Sequence, residues 1–209
     1  PWCSGLSGSI FNTAPRVDPP DMALSREEAE AHVIETFPMV EDIEDDRLRE
    51  GTIEVWVRSV LDNAVEDLGD LPWFPPAQEE FDLGEVRSID HVRDVTELAM
   101  AMAEQLGKSR DVEPSMDMII AGALLHDCDK AYEFDGMETT EIEELIGHPY
   151  YGIHLVEAAG LPHEMAHIVL CHSPQTNVEP VFLEAQIILT ADEVAADVLV
   201  AEDSTELRR

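Results

Sequence analysis

Apolar residues in this chain recur at helical spacing in one stretch after another, and no stretch shows the two-residue alternation of a half-buried strand. Ser25 with Glu28 forms a capping box that opens a helix to about Phe37, with Pro38 behind it. A second helix is predicted from about Asp45 to Val65. The segment from Leu68 to Gln78, with Pro72, Pro75, Pro76 and the adjacent Trp73 and Phe74, reads as an ordered loop. From Val86 to Leu106 the pattern is helical again, with His91, Val95, Leu98 and Met102 on one face and Gly107 as a stop. Pro114 opens a helix over residues 115 to 127. An acidic loop through Glu141, Glu143 and Glu144 then leads to Gly147-His148-Pro149, where the proline starts a helix that ends at Gly160. Pro162 begins a short helix with the stripe Met165, Ile168 and Val169. Phe182 to about Val200 forms the last, with Ala185, Ile188, Leu189, Ala195, Ala196 and Leu199 inward. The expected architecture is an all-α helical bundle.

Polar residues interrupt these apolar faces at particular places. Counted at 100° per residue, Met116, Ile119, Ile120, Ala123 and Leu124 all fall within about 80° of Asp127, so that carboxylate shares the core-facing stripe. An ionised carboxylate there needs a metal ion, an arginine or a raised pKa. His126 stands beside it, His91, His172 and Asp192 occupy the apolar faces of other helices, and His148 sits at a helix start. Left unpaired, each would cost several kcal/mol, whereas imidazole and carboxylate together suit divalent metals. Four nitrogen and two oxygen donors fit two ions better than one, with a carboxylate bridging.

A histidine, an adjacent His-Asp pair and a distant aspartate on successive helices resemble the HD superfamily of metal-dependent phosphohydrolases. His91, His126-Asp127 and Asp192 match that pattern in order, and Ala-Leu-Leu-His-Asp-Cys-Asp-Lys resembles the family's usual run into a lysine. The resemblance covers about residues 85 to 200. It implies an HD-domain-like helical bundle over 81–209; the N-terminal helices and loop, 22–80, lie outside the resemblance and are expected to pack on that bundle. His148 and His172 are similar to the two further histidines of the dinuclear members. The resemblance then implies that one ion takes His91, His126, Asp127 and Asp192, and that the other takes His148 and His172 with Asp127 as bridge. The cofactors would be two divalent ions, drawn from Mn, Fe, Mg, Co and Zn. The implied reaction is attack of an activated water on a small phosphate mono- or diester, with Asp127 and Lys130 as the catalytic side chains. Cys171 precedes His172 and no Gly-Tyr-Pro run follows, so the branch that cleaves cyclic dinucleotides is not matched. Mixed-valence di-iron oxygenases of the superfamily resemble the same ligand set and form the alternative, ahead of a non-catalytic nucleotide-binding module.

His163-Glu164-Met165-Ala166-His167 fits the H-E-x-x-H pattern of zinc proteases. The two histidines lie about 40° apart on the helix and face away from its apolar stripe, so a surface pair is expected. His154 is expected to be a buried packing residue, Arg87 to form a surface salt bridge, and Trp73 and Phe74 to plug the core.

Composition changes this picture in one respect. The chain of 209 residues has 46 acidic and 12 basic residues, a formal net charge of −34, and its two lysines are Lys108 and Lys130. Acidic residues in place of lysine throughout resemble the proteins of salt-accumulating halophiles. Such a field repels nucleic-acid polymers and anionic membranes, and the small anionic phosphate-containing substrate that the resemblance implies would need a local cation; a homodimer is compatible with the chain. Cys3, Cys128 and Cys171 form no zinc or disulfide spacing, which points to a cytoplasmic protein. No apolar run approaches the ~18 residues of a membrane span. Residues 1–21, rich in proline and glycine, read as an irregular leader or expression remnant. At ~1 M salt the Debye length falls to about 3 Å, so the chain's self-repulsion is screened. The melting temperature is therefore expected to rise between dilute buffer and molar KCl, and an unchanged midpoint in a thermal scan would argue against the halophilic reading.

Overall fold

Ser25 caps the first helix as its sequence predicts. Its hydroxyl accepts from the Glu28 backbone N–H, and Glu28 Oε2 accepts in turn from the Ser25 N–H at 2.8 Å. The computed structural model describes residues 24–203, and the leader read into residues 1–21 lies outside them. Helix α1 (Arg26–Thr36) leads through a turn at Pro38–Asp42 to α2 (Asp46–Asp62), capped by Asp45. After α3 (Pro75–Phe81) comes α4 (Ser88–Ser109), then α5 (Met116–Leu125), the short α6 (Lys130–Glu133) and α7 (Glu141–Leu145). Helices α8 (Tyr150–Ala158), α9 (His163–Cys171) and α10 (Leu183–Asp203) complete the bundle.

Helix α5 is the axis of the packing. Every residue from Ile119 to Leu125 is buried, and α2, α4, α9 and α10 all pack against it. Close approach is possible because position 122 is glycine: a Cβ there would lie 2.7 Å from Ile168 Cδ1 and 2.8 Å from Ile188 Cδ1. On the other side, Trp56 Nε1 donates to the Leu124 carbonyl at 2.9 Å and Ser59 Oγ to the Cys128 carbonyl at 2.9 Å. The first bond satisfies a carbonyl of the last turn of α5, which has no partner within the helix, and the second satisfies one in the turn that follows. One hydrophobic cluster joins the side chains of α1 and α2 to those of α4, α5, α9 and α10.

The structure departs from the sequence reading in several local ways. A two-stranded antiparallel hairpin, β1 (Phe134–Asp135) and β2 (Glu138–Thr139), turns at Gly136 with φ +59°. Strands of two residues are too short to carry an alternation signal. The acidic stretch after Thr140 is helical because the Thr140 hydroxyl caps α7 by accepting from the Glu143 N–H. The proline-rich segment contains α3, with Pro75 in the first turn, where its missing N–H costs nothing. Gly107 does not stop α4, and Leu98 is 38% exposed rather than in the core. Among the described residues no helix is long and apolar enough to cross a membrane.

Trp56→Phe keeps most of the buried ring but removes the donor to Leu124. The expected cost is about 1–3 kcal/mol in urea unfolding, and an unchanged midpoint would mean that the carbonyl finds another partner.

Candidate metal centre

The His126-Asp127 pair sits where α5 runs out. His126 is the C-cap residue, and a turn through Asp127, Cys128 and Asp129 leads into α6. His126 Nδ1 donates back to the Ala123 carbonyl at 2.6 Å, and His172, the C-cap of α9, bonds to the Val169 carbonyl in the same way at 2.7 Å. Each bond satisfies a helix-end carbonyl and, by consuming the Nδ1 proton, leaves Nε2 with a lone pair pointing inward. His91 comes from the first turn of α4 and Asp192 from the middle of α10, while His148 lies just before α8.

All of these converge on Asp127, and its two oxygens face different partners. Oδ2 lies 3.6 Å from His126 Nε2 and 3.9 Å from His91 Nε2. Asp192 Oδ1 joins that side, 3.0 Å from His91 Nε2 and 3.8 Å from His126 Nε2. Asp127 Oδ1 lies 3.3 Å from His148 Nε2 and 3.6 Å from His172 Nε2. The four histidines and Asp127 are each at most 6% exposed.

The arrangement fits divalent ions better than it fits hydrogen bonding alone. His148 Nε2 and His172 Nε2 are 2.9 Å apart, and Nδ1 of each ring already faces an acceptor. Two lone pairs at that distance repel, so a proton or a cation has to lie between them. His91 Nε2 and His126 Nε2 also approach each other, at 3.4 Å, although there only His126 has its Nδ1 committed to an acceptor. The trios His91, His126, Asp127 and Asp127, His148, His172 could each hold an ion. Burial brings the His126 pKa down to about 4 against the pull of Asp127 and Asp192, which keeps the ring neutral. Burial would raise the Asp127 carboxyl, but the neighbouring groups, the Lys130 ammonium first among them, outweigh it and hold it well below the usual range. Asp192 is lowered in the same manner, burial being outweighed by its bond to His91. A metal requires its ligands in these deprotonated forms.

A sequence model of the HD domain matches residues 88–197, more than half of the chain. The chain belongs to the HD domain family. Over 110 residues it is 33% identical to a dihydroneopterin 2',3'-cyclic phosphate phosphodiesterase of Methanocaldococcus jannaschii, a match covering 50% of this chain and 44% of that protein. The chain thus spans less than half the length of this curated relative. No solved structure matches it.

Around the HD site the structure brings in residues that the sequence reading missed. Asp129 and Glu133 are 0% and 1% exposed, and both face His148 Nδ1, at 3.1 Å and 2.7 Å. The available signal was the run Asp127, Asp129, Lys130, Glu133, four charged residues directly after an apolar helix. Lys130 is buried, with Nζ 3.1 Å from Glu133 Oε2 and 3.5 Å from Asp127 Oδ1. Trp73 is buried as expected and Phe74 partly so, and both also border the site. With Ser173, Pro174 and Gln175 they wall a cavity of about 180 Å³ that also exposes His91, Asp127, Lys130 and Asp192. The Trp73 ring stands 5.4 Å from that of His91.

Other expectations resolve away from the centre. His154 is exposed beside Tyr151 rather than buried. Arg87 is exposed and caps α4, with no ion pair among the described residues. His163 has a side chain 90% exposed and pairs with Glu157, while His167 Nε2 accepts from the Val181 N–H. The two histidines of the H-E-x-x-H motif therefore serve separate partners on the surface.

Burial and Lys130 pull the His148 pKa down, but Asp129 and Glu133 outweigh them and raise it to about 10 in the metal-free protein. A group with a pKa of about 10 carries its proton at neutral pH and must lose it to become a ligand. Adding Mn²⁺ at pH 7 should therefore release about one proton per chain from His148, and affinity should rise with pH. Calorimetry in buffers of different ionisation enthalpy measures the release. Equal enthalpies in all buffers would show that His148 is already neutral.

Proposed function

We propose that this HD domain hydrolyses a small phosphate ester at a centre of two divalent ions. His91, His126, Asp127 and Asp192 would hold one ion, and Asp127, His148 and His172 would hold the other. The observation that carries this reading is the Asp127 carboxylate, whose two oxygens each face a different pair of histidine nitrogens. A bridging carboxylate needs that geometry, and a single ion does not. A pair of ions held there supplies Lewis acidity toward phosphate oxygens and a water of lowered pKa for in-line displacement at phosphorus.

The chain's own residues account for the rest. Lys130 lines the cavity with its ammonium 3.5 Å from Asp127 Oδ1, and can neutralise a phosphate oxygen or the departing ester oxygen. With a net charge of −34, the protein repels an anionic substrate at long range, so a local cation is needed to admit one. Trp73 and Phe74 exclude water from one side of the cavity, and Ser173 and Gln175 offer hydrogen bonds from the other. A cavity of about 180 Å³ suits a small ester, or the phosphate end of a slightly larger one, and not a nucleic-acid polymer. The relative's name supports a cyclic phosphodiester as the first class to test, in which water opens one P–O ester bond and leaves a phosphomonoester. An HD-type di-iron oxygenase would use the same six ligands, and imidazole with carboxylate serves iron and manganese alike.

The deciding experiment combines metal analysis with a substrate panel, run in air and without oxygen. The panel contains bis(p-nitrophenyl) phosphate, p-nitrophenyl phosphate, nucleoside 2',3'-cyclic phosphates and dihydroneopterin 2',3'-cyclic phosphate. Hydrolysis independent of oxygen is expected. Oxygen-dependent turnover of an iron-loaded protein, without ester hydrolysis, would overturn the reading. Asp127→Ala should lose bound metal and activity together. The loss should exceed the ~10–100-fold cost of removing an outer partner, because the bridge serves both ions.

A further inference from the structure

The two sides of the centre differ in charge. On the Oδ2 side of Asp127, a second carboxylate, Asp192, lies 3.0 Å from His91 Nε2. On the Oδ1 side the other donors are two imidazoles, His148 and His172. The missing carboxylate is found one layer back. Glu133 Oε1 lies 2.7 Å from His148 Nδ1 and Asp129 Oδ1 lies 3.1 Å from it. Asp129 is fixed by its other oxygen, which accepts from the Gly152 N–H at 3.1 Å.

Glu133 is a fork. Its second oxygen accepts from Lys130 Nζ at 3.1 Å, and the same ammonium lies 3.5 Å from Asp127 Oδ1. One buried side chain thus touches the ring that would hold the second ion and the cation beside the bridging carboxylate.

We propose that Glu133 is a positioning residue for the ion on the Oδ1 side, orienting His148 through one oxygen and holding Lys130 through the other. This rests on the two-ion reading above. A carboxylate behind a ligating imidazole fixes its tautomer and raises its basicity. Coulomb's law then gives the two neighbours opposite signs. The negative charge of Glu133 favours a cation at His148 and His172, and the positive charge of Lys130 opposes it. A residue that only packs would not divide in this way.

Mn²⁺ titration of the metal-free full chain, followed by calorimetry and elemental analysis, tests the assignment. The wild type should bind two ions. Glu133→Gln, similar in shape but uncharged, should keep the first at wild-type affinity and bind the second about 10–100-fold more weakly. Lys130→Met should bind the second ion more tightly than the wild type. A Glu133→Gln protein whose second ion binds within about twofold of wild type would overturn the proposal and leave the two-ion centre standing. Were Glu133→Gln to lose both ions together with its helical circular dichroism, Lys130→Met would decide: tighter binding supports the proposal, and unchanged or weaker binding overturns it. A wild type that takes up fewer than two ions would overturn the two-ion centre and this inference with it.

Discussion

Burial of the Asp127 carboxylate at the end of an apolar helix is the constraint from which the arrangement of this chain follows. Helix α5 is enclosed from Ile119 to Leu125, so the residue that emerges from its C-terminus does so inside the protein, 4% exposed. An ionised group in that position costs several kcal/mol unless opposite charge and hydrogen-bond donors surround it. The partners arrive from four directions: α4 with His91, the start of α8 with His148, the end of α9 with His172, and α10 with Asp192. Packing and chemistry are thus one problem here. The glycine at 122 that lets α9 and α10 approach α5 also brings their polar residues within reach of Asp127.

The histidines are aimed by local structure, and by different means. His126 and His172 use the free carbonyls of their own helix ends, three residues back, so their ring orientation comes with the helix termination. His148 stands before a helix instead of after one, has no such carbonyl, and relies on Asp129 and Glu133. His91 lies within a helix, where its neighbours' carbonyls are already committed. Its Nδ1 is buried without a hydrogen bond among the described residues, and the ring is held by Asp192 on one side and Trp73 on the other.

This division explains what the sequence could show. His91, His126, Asp127, His172 and Asp192 were legible because each interrupts a long apolar stripe, and period 3.6 identifies such a stripe without any tertiary information. Asp129 and Glu133 were not. They belong to a turn and a four-residue helix, too short for any period to register, and acidic residues in so acidic a chain read as surface. Trp73 and Phe74 were seen, but not their place in the cavity wall, since a proline-rich segment carries no signal of which side chain meets the cavity. His154 failed for a related reason: a nine-residue helix of mostly apolar residues leaves its polar face poorly defined.

Lysine usage draws these points together. A chain with 46 acidic residues and two lysines has little cationic charge to place. Lys108 is spent on an exposed pair with Glu104, one turn away, which contributes little to stability in water and less in salt. Lys130 is buried among Asp127, Asp129 and Glu133, where there is little water to screen it, and burial is outweighed by those carboxylates so that its charge is retained. At ionic strengths that would screen the surface field, contacts within this cavity keep their strength, because the Debye length governs charges separated by solvent and not charges in contact. A highly acidic surface and the proposed site for an anionic substrate are compatible for that reason: the first acts through bulk solvent, and the second acts where bulk solvent does not reach.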